Sequence, residues 1–217
     1  VDDQHHPQVK VISISQSTEY GTVYTRKEIE ALSAIAKKHN LYLHMDGSRI
    51  SNACVSLGES FRSFTRDAGV DVLSFGGTKN GMMFGEAIVF FNSANAVDFK
   101  FIRKQGMQLH SKMRFISSQF NALLSNDLWK RNAQHSNNMA RLLAEELRKF
   151  PQVEITQPVD ANGVFAKFAS EIIPALQEEH FFYMWTDKIF EARLMCAFDT
   201  TEVEIRNFGK RLRELLG

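Results

Sequence analysis

The chain has 217 residues and a formal net charge of +1, from 26 basic and 25 acidic side chains. Hydrophobic residues make up 44% of it and prolines number only four, which excludes an intrinsically disordered segment and provides for a sizeable core. Acids and bases alternate along the chain, so the sequence predicts no basic surface for nucleic acid. The length suits one large domain or two small ones.

Cysteine usage and apolar runs bear on the compartment. Cys54 and Cys196 are the only cysteines, and neither has nearby ligands at zinc spacing. The sequence therefore predicts no disulfide framework, no metal site and a reducing, cytoplasmic compartment. No apolar run approaches the length of a membrane span, so we expect no membrane partner. The chain begins without methionine and reaches an apolar run almost at once, which is typical of the interior of a longer protein.

The first half alternates strands with helices. Thr25 with Glu28 three positions later is a capping box and predicts a helix that ends near Asn40. Apolar runs flank that helix and recur beyond it; the predicted strands span residues 9–15, 41–45, 70–75 and 87–91. This order predicts a mostly parallel sheet covered on both faces, with the ends of successive strands at one edge.

The second half begins with helical periodicity. Leucines from Leu123 onward predict a long amphipathic helix that reaches about Phe150. A hairpin signal at residues 153–168 and a strand at 193–198 follow, and Thr201 begins a terminal helix. We therefore predict three parts, which are a large α/β portion at residues 1–120, a linking helix at 121–150 and a smaller α+β domain at 151–217.

Lys79 lies in a loop with glycines on both sides, directly after the third predicted strand. Glycines permit close approach to a ligand, and a desolvated lysine can act as an amine nucleophile that forms a Schiff base. The alternative is a turn with a solvated lysine, which is where most lysines occur. The loop is not a phosphate-binding Walker motif, because the spacing differs.

Asp46 ends the second predicted strand, with Arg49 three residues later. An ionised Asp at such a position would keep a pyridine nitrogen protonated, and the arginine could donate to a ring oxygen or to a substrate. The alternative is a local pair of Asp46 and Arg49 that caps the next helix. Because Asp46 and Lys79 follow strands of one parallel sheet, we expect both to face the same crevice.

Two stretches carry a family resemblance. Residues 43–49, LHMDGSR, and residues 71–81, DVLSFGGTKNG, closely resemble the low-specificity L-threonine aldolases of the β-eliminating lyase group. The resemblance runs along nearly the whole chain. It implies the aspartate-aminotransferase-like fold of PLP-dependent transferases (fold type I), with residues 1–120 as the cofactor-binding portion, and pyridoxal 5′-phosphate (PLP) as cofactor.

The resemblance also implies roles for single residues. Lys79 would carry PLP as an internal aldimine, Asp46 would contact the pyridine nitrogen and Arg49 the ring oxygen. Thr78, which precedes Lys79, would also bind the cofactor. Arg193 would bind the α-carboxylate of the substrate, for which a planar two-pronged donor is well suited.

Lys112 and Arg114 resemble a region that helps to bind the cofactor phosphate across a subunit interface, and the family implies a homodimer or homotetramer with shared active sites.

The sequence departs from the family pattern in two places. Glu19 stands where many threonine aldolases have histidine; it would contact the substrate hydroxyl and act as a base, or it would indicate a different chemistry at the β-substituent. The family's N-terminal region, with its phosphate-binding turn and a histidine stacked on the cofactor, has no counterpart before Val9.

The implied reaction is cleavage of L-threonine, L-allo-threonine or a related 3-hydroxy amino acid to glycine and an aldehyde. Lys79, Glu19 or a water would transfer the proton. The alternatives are a β-eliminating lyase or aminotransferase of the same fold, which would use Asp46 and Lys79 but form other products, or an inactive fragment.

Overall fold

A computed structural model describes residues 3–217. Eight strands and seven α-helices are found in this range. The strands are β1 Val11–Ser15, β2 Tyr42–Gly47, β3 Val72–Gly76, β4 Glu86–Phe90, β5 Glu154–Ile155, β6 Gly163–Lys167, β7 Tyr183–Thr186 and β8 Glu191–Met195. The helices are α1 Arg26–Lys38, α2 Ile50–Leu57, α3 Phe99–Gln105, α4 Arg114–Leu124, α5 Leu128–Leu147, α6 Ile173–Gln177 and α7 Glu202–Leu216. None of these helices is long and apolar enough to cross a membrane.

The first sheet has the order β1-β2-β3-β4. The first three strands are parallel and β4 is antiparallel to β3, which confirms the predicted mostly parallel sheet. The direction of β4 follows from its connection, because the short loop after β3 contains no crossover helix and can only return the chain beside the strand that it leaves. The start of β4 therefore lies at the same edge as the end of β3.

Helix α1 covers one face of this sheet. Thr25 and Glu28 form the predicted capping box, with reciprocal bonds between each side chain and the other residue's backbone. Ile29 and Ala36 are buried against the sheet, together with Leu43 of β2. The spacing of these apolar residues places them on one side of the helix, as the sequence predicts.

The long helix predicted from Leu123 is interrupted in the structure. Helix α4 ends at Leu124, and Asn126 and Asp127 have φ angles of +51 and +55 before α5 begins. Asn and Asp adopt this left-handed conformation more readily than other non-glycine residues. The prediction of one continuous helix was wrong at its start, because helical periodicity continues across the break.

The second sheet is antiparallel, with the order β5-β6-β8-β7. The predicted hairpin is confirmed by the pairing of β5 with β6, and the capping box of Thr201 and Glu204 on α7 is present. Strand β8 begins two residues earlier than predicted, at Glu191. Helices α5 and α7 cover one face of this sheet around Val164, Leu194 and their neighbours.

Helix α5 contacts both sheets' layers. Its first half packs on α2, where Asn52 donates to Ser136 at 2.8 Å and to Asn137 at 2.9 Å, and Asn137 donates back to the Asn52 carbonyl at 3.0 Å. Its second half, from Met139 to Leu147, lies in the core of the second sheet. The division at residues 1–120, 121–150 and 151–217 stays a prediction.

Candidate active site

Lys79 lies in a tight turn that directly follows β3. A 3-10 turn spans Thr78–Asn80, and Gly81 after it has φ +110, in the left-handed region that glycine adopts at little cost. A Cβ atom on Gly77 would lie 2.2 Å from the Met82 sulfur, so a side chain there would displace Met82. The glycines therefore allow the chain to turn where β3 ends, and Lys79 is presented just beyond the strand.

Asn80, the neighbour of Lys79, is buried and anchors the turn to α5. Its side-chain amide donates to the Trp129 carbonyl at 2.9 Å, and its own carbonyl accepts from the Asn132 amide at 2.9 Å. Both partners belong to α5. The backbone on the C-terminal side of Lys79 is therefore held by two hydrogen bonds, and the lysine is not on a free loop.

Asp46 lies near the end of β2, the strand next to β3. Its Oδ1 accepts from the Ser48 backbone N–H at 2.9 Å and from the Ser48 hydroxyl at 2.6 Å. Arg49 precedes α2, but its side chain makes no capping bond to that helix. The structure thus does not show the helix cap that was the alternative for this pair. The Nε of Arg49 is buried and has no hydrogen-bond partner.

Charges from four residues act on the Lys79 amine. Burial is the largest cause that lowers the pKa of Lys79, and the Arg49 guanidinium lowers it further. Carboxylates raise it; in decreasing order of effect they belong to Asp46, Glu19 and Glu86. The net direction is downward, so Lys79 has more free amine near neutral pH than a solvated lysine, as a nucleophilic lysine requires.

Arg193 comes from the second sheet. It lies in the middle of β8, paired with Phe165 on one side and Tyr183 on the other. Its guanidinium lies 4.9 Å from the centre of the Trp185 ring, and its Nη2 forms an ion pair with Glu19 Oε2 at 3.0 Å. Arg193 is also among the charges that lower the pKa of Arg49, so both sheets contribute to one cluster of charges.

The residues singled out in the sequence fall into two sets. The structure brings Asp46, Arg49, Lys79, Glu19 and Arg193 together. Thr78 lies beside them.

Lys112 and Arg114 are elsewhere on this chain. Both are exposed, and the Arg114 guanidinium lies 5.0 Å from the centre of the Phe115 ring. Neither is among the charges that act on Lys79. Their role at a phosphate stays a prediction for a site formed between subunits.

The sequence reasoning missed Glu86, the first residue of β4. It pairs with Gly76 across the sheet and accepts a long hydrogen bond of 3.4 Å from Thr78. Burial is the largest cause that raises the pKa of Glu86, while the nearby Lys79 lowers it. The signal was the short connection after β3, because an antiparallel β4 must begin at the edge where Lys79 lies.

Solved structures share this architecture. The Leishmania major threonine aldolase matches 99% of this chain with a TM-score of 0.90 and 30% identity, and the chain covers 64% of it. A PLP-dependent aminotransferase from Streptococcus suis matches 95% of the chain with a TM-score of 0.72 and 17% identity, and the chain covers 57% of it. The fold is therefore that of PLP-dependent transferases, fold type I.

A protein-family comparison narrows the class. The model of the β-eliminating lyase family matches residues 1–171, and the chain belongs to that family. Among curated relatives, a low specificity L-threonine aldolase of Pseudomonas aeruginosa is 46% identical over 99% of this chain, and one of a Pseudomonas species is 44% identical. The chain spans 62% of the length of each of these two relatives.

Proposed function

We propose that this chain belongs to a PLP-dependent enzyme that cleaves L-threonine, L-allo-threonine and related 3-hydroxy amino acids to glycine and an aldehyde. The observation that carries the proposal is the placement of Lys79, with its lowered pKa, in one cluster with Asp46 and Arg49. The similarity to proteins named L-threonine aldolase supports the choice of substrate.

The residues at the edge of the first sheet fit the ring of PLP. Lys79 supplies an amine to hold the cofactor covalently, and Asp46 supplies a carboxylate for the pyridine nitrogen. The buried Nε of Arg49 lacks a partner and is a donor for a ring oxygen. Bound PLP supplies an electron sink for the bond that breaks next to the substrate amine.

Protein side chains would orient the substrate and move its protons. Arg193 presents guanidinium N–H donors to the α-carboxylate, and that guanidinium lies over the Trp185 ring. Glu19 lies beside Arg193 and can accept the proton of the β-hydroxyl oxygen. The Lys79 amine can hold or return a proton at the α-carbon, for which its lowered pKa suits it.

A homo-oligomer forms part of the proposal. Residues 97–115 expose several large apolar side chains, among them Phe101, Ile102 and Phe115, and Met107 is 90% exposed. A dense group of this kind is typical of a protein interface. Lys112 and Arg114 lie in the same segment. If this segment formed a subunit interface, their charges would lie near the cofactor phosphate in the active site of the other subunit.

We also place the enzyme in the cytoplasm. Cys54 and Cys196 are both buried and free, and burial raises the pKa of each thiol to about 12. Such thiols are unreactive and do not form a disulfide, which agrees with a reducing compartment.

The test uses the full-length protein with PLP. We expect an absorption band that borohydride removes, with the cofactor mass left on the peptide that contains Lys79, and loss of both in Lys79→Ala. Glycine and acetaldehyde should then form from L-threonine, at least about 1000-fold more slowly in Lys79→Ala. Ammonia and a 2-oxo acid as products would instead identify an elimination enzyme, and a 2-oxo acid that forms only when an amino-group acceptor is added would identify an aminotransferase. A full-length protein that shows no band would contradict the proposal.

A further inference from the structure

The loop that follows β1, residues 16–24, reaches across to the second sheet. The Tyr20 ring lies 5.6 Å from both the Phe165 and Trp185 rings, and the Val23 N–H bonds to Asp160 at 3.4 Å. This loop, which we call the β1 loop, is therefore docked on the face of the second sheet that helices α5 and α7 leave open. Its docking places Glu19 beside Arg193.

Glu19 and Arg193 differ in exposure. The Arg193 side chain is only 14% exposed, whereas that of Glu19 is 54% exposed. A guanidinium in such a position is costly without an anionic partner, because it has lost much of its hydration. The Glu19 carboxylate supplies that partner in this structure, on one Nη atom, while the buried Nε of Arg193 has no hydrogen-bond partner.

The substrate's α-carboxylate is the same chemical group as the Glu19 side chain. We propose that Glu19 is an internal substitute for that carboxylate, which the substrate displaces from Arg193 when it binds. The inference rests on the proposed function, since it takes Arg193 as the substrate's carboxylate site. In this exchange, the substrate carboxylate takes the place of the Glu19 carboxylate at Arg193.

The exchange has a consequence for the reaction. Displaced Glu19 remains in the cluster around Lys79 and Arg49, on which its charge already acts. It is then free to face the substrate's β-hydroxyl group. Binding of the substrate's α-carboxylate to Arg193 and release of Glu19 from Arg193 are thus one event. Ligands that carry an α-carboxylate are therefore preferred.

A suitable probe is 3-hydroxybutyrate, which is threonine without its amine. It carries the carboxylate and the β-hydroxyl group but cannot react with Lys79 or PLP. Its dissociation constant, measured by calorimetry on the full-length protein with PLP, reports carboxylate binding without turnover. The variants are Glu19→Gln, which removes the competing charge, and Glu19→Asp, which keeps the charge on a shorter side chain.

The chain offers a matched control in Glu179→Gln. Glu179 pairs with Arg211 at 2.9 Å, and the exposed fractions of that pair, 53% and 24%, resemble those of Glu19 and Arg193. We expect Glu19→Gln to bind 3-hydroxybutyrate about twofold to fivefold more tightly, because that is the factor by which loss of a partly exposed ion pair shifts a binding equilibrium. Glu19→Asp should change it in the same direction but less, and Glu179→Gln should not change it.

A second readout needs no cofactor. Phenylglyoxal modifies arginine side chains, and peptide mapping gives the rate at Arg193. We expect faster modification in Glu19→Gln than in the wild type, and protection by 3-hydroxybutyrate. Unchanged or weaker binding in both Glu19 variants, with binding still lost in Arg193→Ala, would overturn the exchange and leave the proposed function intact. Equal binding of 3-hydroxybutyrate by Arg193→Ala and the wild type would overturn both the exchange and the role of Arg193 as the carboxylate site.

Discussion

The two sheets contribute to the site in different ways. The first sheet supplies Asp46 and Lys79 from the ends of neighbouring parallel strands, where chain direction alone brings them to one edge. The second sheet supplies Arg193 from the middle of an antiparallel strand, on the face opposite its helices. An edge position depends on topology, whereas a face position depends on which side of a sheet remains open.

The largest expected effect tests whether the two regions fold together. Leu43 and Leu212 are each fully buried, one in each core. We expect Leu43→Ala and Leu212→Ala to lower the free energy of unfolding by about 3 kcal/mol each. Because α5 contacts both layers, each variant should shift one common urea transition. Two separate transitions, each sensitive to one substitution, would show that the regions unfold independently.

The next pair of substitutions compares a residue at the edge of the first sheet, Arg49, with a residue on the open face of the second sheet, Arg193. Arg193→Lys keeps the charge but loses the planar two-pronged donor, and we expect KM for L-threonine to rise about tenfold to a hundredfold. Arg49→Lys should mainly weaken PLP binding, which a titration of PLP absorbance measures. An equal effect of both variants on PLP affinity would contradict the division of roles between the two sheets.

A smaller effect compares the two capping boxes. Thr25 caps α1 and Thr201 caps α7, and in each case the threonine bonds the glutamate three residues later in the same geometry. Thr25→Ala and Thr201→Ala should each cost about 1 kcal/mol of stability. Thermal unfolding of the two variants measures this. A much smaller loss for one of them would mean that its helix end is held mainly by packing.

The smallest effect is a pH dependence at the edge of the first sheet. Because the folded pKa of Lys79 is lowered, the unfolded chain binds more protons between that pKa and the ordinary value of 10.5. Wild-type stability should therefore rise with pH across this window. Without PLP, Lys79→Met should be more stable than the wild type at pH 7, and the difference should shrink by pH 10. A difference in stability that grows toward pH 10 would show that the pKa of Lys79 is raised, not lowered.

Much of the edge could be predicted from the sequence. Asp46 and Lys79 each follow an apolar run, and parallel strands place such residues together. Capping boxes also identified the starts of α1 and α7, because their bonds are local in sequence.

The remaining features depend on contacts that one sequence does not display. Glu86 reads as a solvated acid at the start of an exposed strand, and only the direction of β4 brings it to the edge. The break at Asn126 is hidden because apolar periodicity continues beyond it. Arg193 was identified through family resemblance alone, since its partner Glu19 comes from a distant segment that only the folded chain brings close to it.

The amide contacts of α5 set the position of this helix along its axis as well as stabilising it. Asn80 bonds to the first turns of this helix, and Asn52 bonds to Ser136 and Asn137 further along it. A slide of α5 by one turn, about 5.4 Å, would leave several buried amides unpaired. Apolar packing tolerates exchange of one aliphatic residue for another, but these bonds allow one register. The amides therefore fix the position of α5 against the layer that carries Lys79, while the apolar contact of α5 with the second sheet tolerates conservative substitutions.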